Sequence, residues 1–189
     1  LGHTNADFEQ AQTAIDAGAS GFTHLFNAMS PLQGREPGVT GCALLNDNAA
    51  CGLIVDGHHV DYETCKLALK TKPVGKVFLV TDAMPPVGTD DTQFAFFDRT
   101  VSLENGKLTS TTGELAGSAL DMATAVRNTV IHLKQPLAQA LKMASLYPAQ
   151  YLKLPATHGR LILGSPADFV QLNTQQQVIS TWIGGARVC

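Results

Sequence analysis

Four side chains able to bind or activate something stand at similar places in this sequence. His24 sits at the polar end of "GFTHLF", His59 ends "GLIVDGHH", Asp82 closes "KVFLVTD", and His3 stands in "LGHTNAD" with no apolar run before it. Imidazole nitrogens together with a carboxylate suit a divalent transition ion such as zinc, and an open coordination position makes such a site catalytic. Taken singly, a histidine is more often an ordinary packed or surface residue. Repetition at the C-terminal edges of successive apolar segments reverses that balance. His132 and His158 fall on a helical stretch and in a loop, where the ordinary reading holds.

Three further stretches bear on ligand binding. "NAMSPLQGREPGVTG" reads as a long loop, too rich in glycine and proline for a helix, and Arg35 is its only cation. A guanidinium on such a loop suits a phosphate or carboxylate, or else it pairs with the adjacent Glu36. "DGHHVD" offers two adjacent histidines, of which only one can point into a common mouth. "ELAGSALDM" places a small-residue turn before a helix whose N-terminal amides could meet a polar ligand.

The elements that must position these residues alternate. "TNADFEQAQTAIDAGA" puts Phe8, Ala11 and Ile15 on one helical face, with Thr4 or Asn5 as N-cap and Gly18 as a stop. "VDYETCKLALKTK" reads as a second helix, with Asp61 early and lysines in its last turn. Apolar strands alternating with amphipathic helices indicate parallel βα units buried on both faces. In a parallel barrel the strand C-termini converge on one face, so residues distant in sequence form one cluster.

Beyond Asp82 the pattern changes. "FAFFDRTVSLENGKLTS" reads as a hairpin turning on Asn105-Gly106. "GSALDMATAVRNTVIHL" sets Ala119, Met122, Val126, Ile131 and Leu133 broadly on one helical side, and "PLAQALKMASLYPAQYL" follows with Pro136 and Pro148 suited to first turns. The tail from Gly159 reads as a strand, turn and strand series.

Composition excludes several functions. The 189 residues carry a net charge of −3, with Lys and Arg scattered singly, which leaves no basic field for nucleic acid or anionic membrane. No apolar stretch is long enough to span a bilayer. Cys42, Cys51, Cys65 and Cys189 form no CxxC pair and no disulfide framework, which fits a reducing cytoplasm and buried apolar roles.

Together "GHTNADFEQA", "THLFNAM", "GREPG", "DGHHVD", "LVTDAM" and "LAGSALDM" resemble, in order and spacing, the N-acetylglucosamine-6-phosphate deacetylases of the amidohydrolase superfamily. The similarity runs through essentially the whole chain and is to the C-terminal half of those enzymes. It implies an α/β fold: residues 1–158 as strands five to eight of a (β/α)8 TIM barrel with their helices, and 159–189 as C-terminal strands of a small β-domain. The first four strands, with the family's N-terminal histidines and metal-binding glutamate, are then expected in a longer native chain.

By that resemblance His3 and His24 are metal ligands and Asp82 is the catalytic acid and base. Asn27, the backbone of Ala28, Arg35 and His59 bind the sugar phosphate, and Leu115, Ala116, Gly117 and Ser118 form a wall beside it. His58 is given no chemistry. The implied cofactor is a divalent metal, Zn2+ first, with Fe2+ or another divalent ion as alternatives. The implied substrate is N-acetylglucosamine 6-phosphate, converted to acetate and glucosamine 6-phosphate by a cytoplasmic homo-oligomer, dimer or tetramer. Other readings are a dihydroorotase-like or dipeptidase-like amidohydrolase, or an inactive sugar-phosphate-binding fragment.

Overall fold

A computed structural model describes residues 1–189. The apolar runs before the candidate residues form β1 (Gly21–Phe22), β2 (Ala50–Leu53) and β3 (Val77–Leu79), paired in parallel in the order β1-β2-β3. Phe22 lies opposite Cys51, and Cys51 opposite Val77. The N-terminal segment lies along the free side of β1, where the Leu1 amino group donates to the Gly21 carbonyl (2.7 Å) and Thr23 N–H to the Leu1 carbonyl (2.9 Å). Phe22, Leu53, Ile54 and Leu79 are fully buried beneath this sheet's helices or between them, as strands covered on both faces require.

Helix α1 (Phe8–Asp16) precedes β1, α2 (Gly38–Leu45) joins β1 to β2, and α3 (Tyr62–Thr71) joins β2 to β3. The α1 N-cap is Asp7, not Thr4 or Asn5. Its carboxylate accepts from Gln10 N–H (2.8 Å) while Gln10 Oε1 accepts from Asp7 N–H (3.1 Å), a reciprocal pair neither earlier residue could make with Gln10 at the third helical position. In α3, Asp61 caps the start and Lys70 stands in the last turn, as expected.

Helix α2 corrects the reading of 27–41 as loop throughout. Its sequence, GVTGCALL, has two glycines and no side-chain N-cap bond, yet Val39, Cys42, Ala43 and Leu44 are buried. Burial outweighs propensity here. Its start is held by Glu36 Oε1 on Gly38 N–H (2.9 Å) and Ser30 Oγ on Val39 N–H (2.8 Å). Its end is held by buried Lys72, whose Nζ donates to the Ala43 carbonyl (2.8 Å) and to that of Asn46.

A separate antiparallel sheet follows: β4 (Gln93–Phe96), β5 (Arg99–Glu104), β6 (Lys107–Ser110) and β7 (Leu115–Ser118), in sequential order. Asn105 and Gly106 turn between β5 and β6 at φ 51° and 79°, the two-residue hairpin expected. Residues 115–118 are therefore strand, not the turn expected of them. Next come α4 (Met122–Ile131), α5 (Leu137–Ala144) and α6 (Leu146–Tyr151). The buried face of α4 is Ala125, Val126 and Thr129; Ala119 and Leu133 lie outside the helix, and Ile131 faces solvent. Strands β8 (Phe169–Leu172), β9 (Val178–Ile183) and β10 (Ala186–Arg187) form a third sheet, in the order β10-β9-β8. The segment 159–163 is not a strand.

The parallel sheet remains open. One side ends at the Leu1–His3 segment and the other at Ser118, bridged to Ala83. No closed barrel forms within these residues. No helix is long and apolar enough to cross a membrane.

Candidate functional site

Three of the parallel segments end in a chemical group on unusual backbone. His3 (φ 49°), His24 (φ 21°) and Asp82 (φ 54°) all lie at positive φ, as do Phe26 and Ala28 in the turn after β1. Each such conformation costs about 1–3 kcal/mol and persists only where its surroundings impose it. The result is a meeting of two rings: His3 Nε2 and His24 Nε2 stand 2.7 Å apart, with centroids 4.6 Å apart and planes at 71°. At that range two bare imidazole nitrogens repel, so a proton or cation belongs between them. His24 is buried and its Nδ1 has no hydrogen-bond partner, whereas His3 is exposed.

This donor pair fits part of a metal site. Two neutral imidazoles converging on one point are the nitrogen half of a zinc-type coordination set. The chain holds no group of three or more His, Cys, Asp or Glu side chains that could bind an ion, so the pair offers two donors and no third.

Asp82 is exposed, and its backbone is clamped from β7. Ser118 N–H donates to the Asp82 carbonyl (2.8 Å), Met84 N–H to the Ser118 carbonyl (3.0 Å), and the Ser118 hydroxyl to the Thr81 carbonyl. Gly117 makes this approach possible, because a Cβ there would stand 2.4 Å from Met84 Cγ and 3.0 Å from the Asp82 oxygen. The 115–118 segment thus holds Asp82, and the Ser118 hydroxyl is already engaged. At the helix N-terminus after it, Asp121 accepts from Thr124 N–H (2.9 Å), which takes up one of the amides α4 was expected to offer.

The remaining candidates differ in what they leave free. Asn27 donates through Nδ2 to the carbonyls of His24 (3.1 Å) and Leu25 (3.2 Å), which leaves Oδ1 uncommitted. The Ala28 carbonyl accepts from Thr4 N–H (3.0 Å), which ties the turn after β1 to the segment holding His3. Arg35 is exposed and makes no ion pair with Glu36, whose carboxylate instead accepts from the N–H groups of Phe8 (3.0 Å) and Gly38 (2.9 Å). His59 does not join the two metal-type histidines: its Nδ1 lies 2.7 Å from Asp56 Oδ2, with both side chains less than a tenth exposed. Burial pushes the Asp56 carboxyl up, but hydrogen bonds from the His59 ring and from the backbone of His58 and His59 outweigh it, leaving the group below the usual carboxylate range. Sequence reasoning passed over Asp56, although Asp-Gly is a turn signal.

Two other features stand apart from this chemistry. A cleft of about 690 Å³ lies between α4, α5 and β8, lined by apolar groups such as Val126, Leu141 and Phe169, and contains neither His3, His24 nor Asp82. Cys42, Cys51 and Cys65 are buried, and burial pushes the thiols of Cys51 to about 11 and Cys65 to about 12, so both stay protonated at neutral pH.

Strand-end imidazoles and a carboxylate on βα units define a class, and comparison supports it. The Amidohydrolase family model matches residues 1–188, and the chain belongs to that family. Its relatives within the family are N-acetylhexosamine-6-phosphate deacetylases. The N-acetylgalactosamine-6-phosphate deacetylase of Shewanella sp. (strain ANA-3) is 46% identical over 185 residues, covering 98% of this chain and 47% of that protein. The structure of N-acetylglucosamine-6-phosphate deacetylase from Pasteurella multocida matches with a TM-score of 0.94 at 39% identity, over 98% of this chain and 48% of the other. A mutant of the Mycobacterium smegmatis N-acetyl-D-glucosamine-6-phosphate deacetylase, in complex with N-acetyl-D-glucosamine-6-phosphate, matches at 33% identity with a TM-score of 0.92, over 99% of this chain and 50% of that one. The chain spans about half the length of the curated relatives it matches.

Proposed function

We propose that this chain forms part of an enzyme that removes the acetyl group from an N-acetylhexosamine 6-phosphate, with N-acetylglucosamine 6-phosphate as substrate. The observation carrying this reading is the convergence of the His3 and His24 Nε2 atoms in the row of strand ends that also holds Asp82. Residues 1–158 read as the second half of a (β/α)8 barrel and 159–189 as strands of a smaller β-domain, completed by residues outside this chain. A cytoplasmic homo-oligomer is the proposed setting. N-acetylgalactosamine 6-phosphate is a second reading, favoured by the 46% identity to the Shewanella enzyme.

His3 and His24 would hold a divalent ion, Zn2+ or Fe2+. When bound, such an ion polarises a carbonyl and acidifies water. Asp82 takes a proton from the attacking water and returns it to the departing amine nitrogen, so one carboxylate is base and then acid. Ser118 and Gly117 fix the backbone from which Asp82 acts. Arg35 and His59 hold the phosphate away from the amide, supplying orientation. Asn27, through its uncommitted Oδ1, and the Ala28 backbone would bind the sugar phosphate with them, with Leu115 and Ala116 as its wall.

Asp82→Asn in the intact enzyme should retain metal content and KM while kcat for acetate release falls by about 10²–10⁴-fold. Near-full kcat would remove Asp82 from the mechanism.

A further inference from the structure

The loop after β2 is built around a carboxylate that the proposed reaction does not use. Asp56 Oδ1 accepts from the N–H groups of His58 (2.8 Å) and His59 (2.8 Å), which makes the turn. That turn needs only one oxygen. The second, Oδ2, lies 2.7 Å from His59 Nδ1, so the carboxylate also grips the ring.

The grip is rigid on every side. Gly57 has φ +75°, and a Cβ there would stand 2.8 Å from the Tyr62 ring. Tyr62 stacks on His132 with centroids 4.1 Å apart and planes 4° from parallel. Asn128 Nδ2 donates to the Val55 carbonyl (2.8 Å), tying the end of β2 to α4. Helices α3 and α4 therefore fix where Asp56 sits, and Asp56 fixes how the imidazole is turned.

A carboxylate accepts and cannot donate, so the Nδ1 facing it carries the proton. The other ring nitrogen, Nε2, makes no protein hydrogen bond. A ring with Nδ1 already protonated can donate from Nε2 only as an imidazolium. It would then stand between two anions, the carboxylate behind it and a ligand in front.

We propose that Asp56 is a positioning residue for His59, holding the Nδ1 proton so that Nε2 meets the anionic oxygens of the substrate's phosphate as a charged donor. The inference rests on the reading of His59 as a phosphate ligand given above. It is the same arrangement by which a carboxylate behind an imidazole sets tautomer and ring angle in metal and catalytic sites.

The test uses the intact enzyme with Asp56→Asn, which keeps an oxygen for the turn but turns an amide N–H toward Nδ1. A 15N spectrum of the substrate-free protein should move the His59 proton from Nδ1 to Nε2. KM for the 6-phosphorylated substrate should rise by about tenfold, the scale on which losing such an orienting partner acts, with kcat and the unphosphorylated sugar little changed. Asp56→Ser, which keeps a turn acceptor without a second oxygen, should raise KM in the same direction and guards against a folding defect in the first variant. An unchanged tautomer and unchanged KM in both would overturn the inference and leave Asp56 a turn former. His59→Ala separates the two levels. If it raises KM while Asp56→Asn does not, only the positioning role falls; if it leaves KM unchanged, the phosphate reading of His59 falls and this inference with it.

Discussion

A histidine at positive φ is uncommon, and here two of them bring ring nitrogens to within 2.7 Å. His24 stood out in the sequence because it follows an apolar segment in a repeating βα pattern, which places strand ends on one face whatever the details of packing; His3, with no apolar run before it, was picked out by the resemblance. Partners were less legible. That His59 pairs with Asp56, that Glu36 caps α2 and leaves Arg35 without an ion pair, and that Ser118 clamps Asp82 all depend on which way a short side chain turns, and spacing does not decide that. The unpaired guanidinium makes a direct prediction. Arg35→Ala should reduce kcat/KM on the 6-phosphorylated sugar far more than on the unphosphorylated one, since it removes a charge-assisted contact worth about 1.5–3 kcal/mol. Equal losses on both substrates would make the "GREPG" loop structural.

At the scale of elements, the strong local signals held. The Asn105-Gly106 hairpin formed because both positions accept positive φ, and Asp61 capped α3. Weak or competing signals did not hold. Helix α2 has poor propensity and no cap bond from its N-cap residue Pro37, so its buried position decides it. Helix α1 starts at Asp7 because the Asp7–Gln10 pair outcompetes the earlier Thr4 and Asn5. Residues 115–118 became strand through pairing with β6, a long-range effect. The end of α2 depends on Lys72, whose ammonium is buried and donates to two carbonyls, and burial pulls that amine below its usual range. Lys72→Met should therefore destabilise the protein by about 1–3 kcal/mol, read from denaturant midpoints, because two carbonyls lose a charged donor. Unchanged stability would mean that the cost of burying the ammonium cancels those bonds.

For the molecule as a whole, the open parallel sheet dominates. The C-terminal segment leaves Leu161, Leu163, Val170 and Ile183 exposed, and β8 has no neighbour on its outer side. Open edges and apolar surface invite self-association. Residues 1–189 purified alone should sediment as aggregates or oligomers and release no acetate; a cooperatively folding, active monomer would refute the half-barrel reading. The central claim is that His3 and His24 are two ligands of a metal whose remaining protein ligands lie outside this chain. Divalent metal content of the intact enzyme, measured after dialysis beside folded His3→Ala and His24→Ala variants, tests it most directly. The account predicts stoichiometric metal in the wild type and loss of most of it in each variant. A variant that folds, keeps wild-type metal and still releases acetate would contradict it.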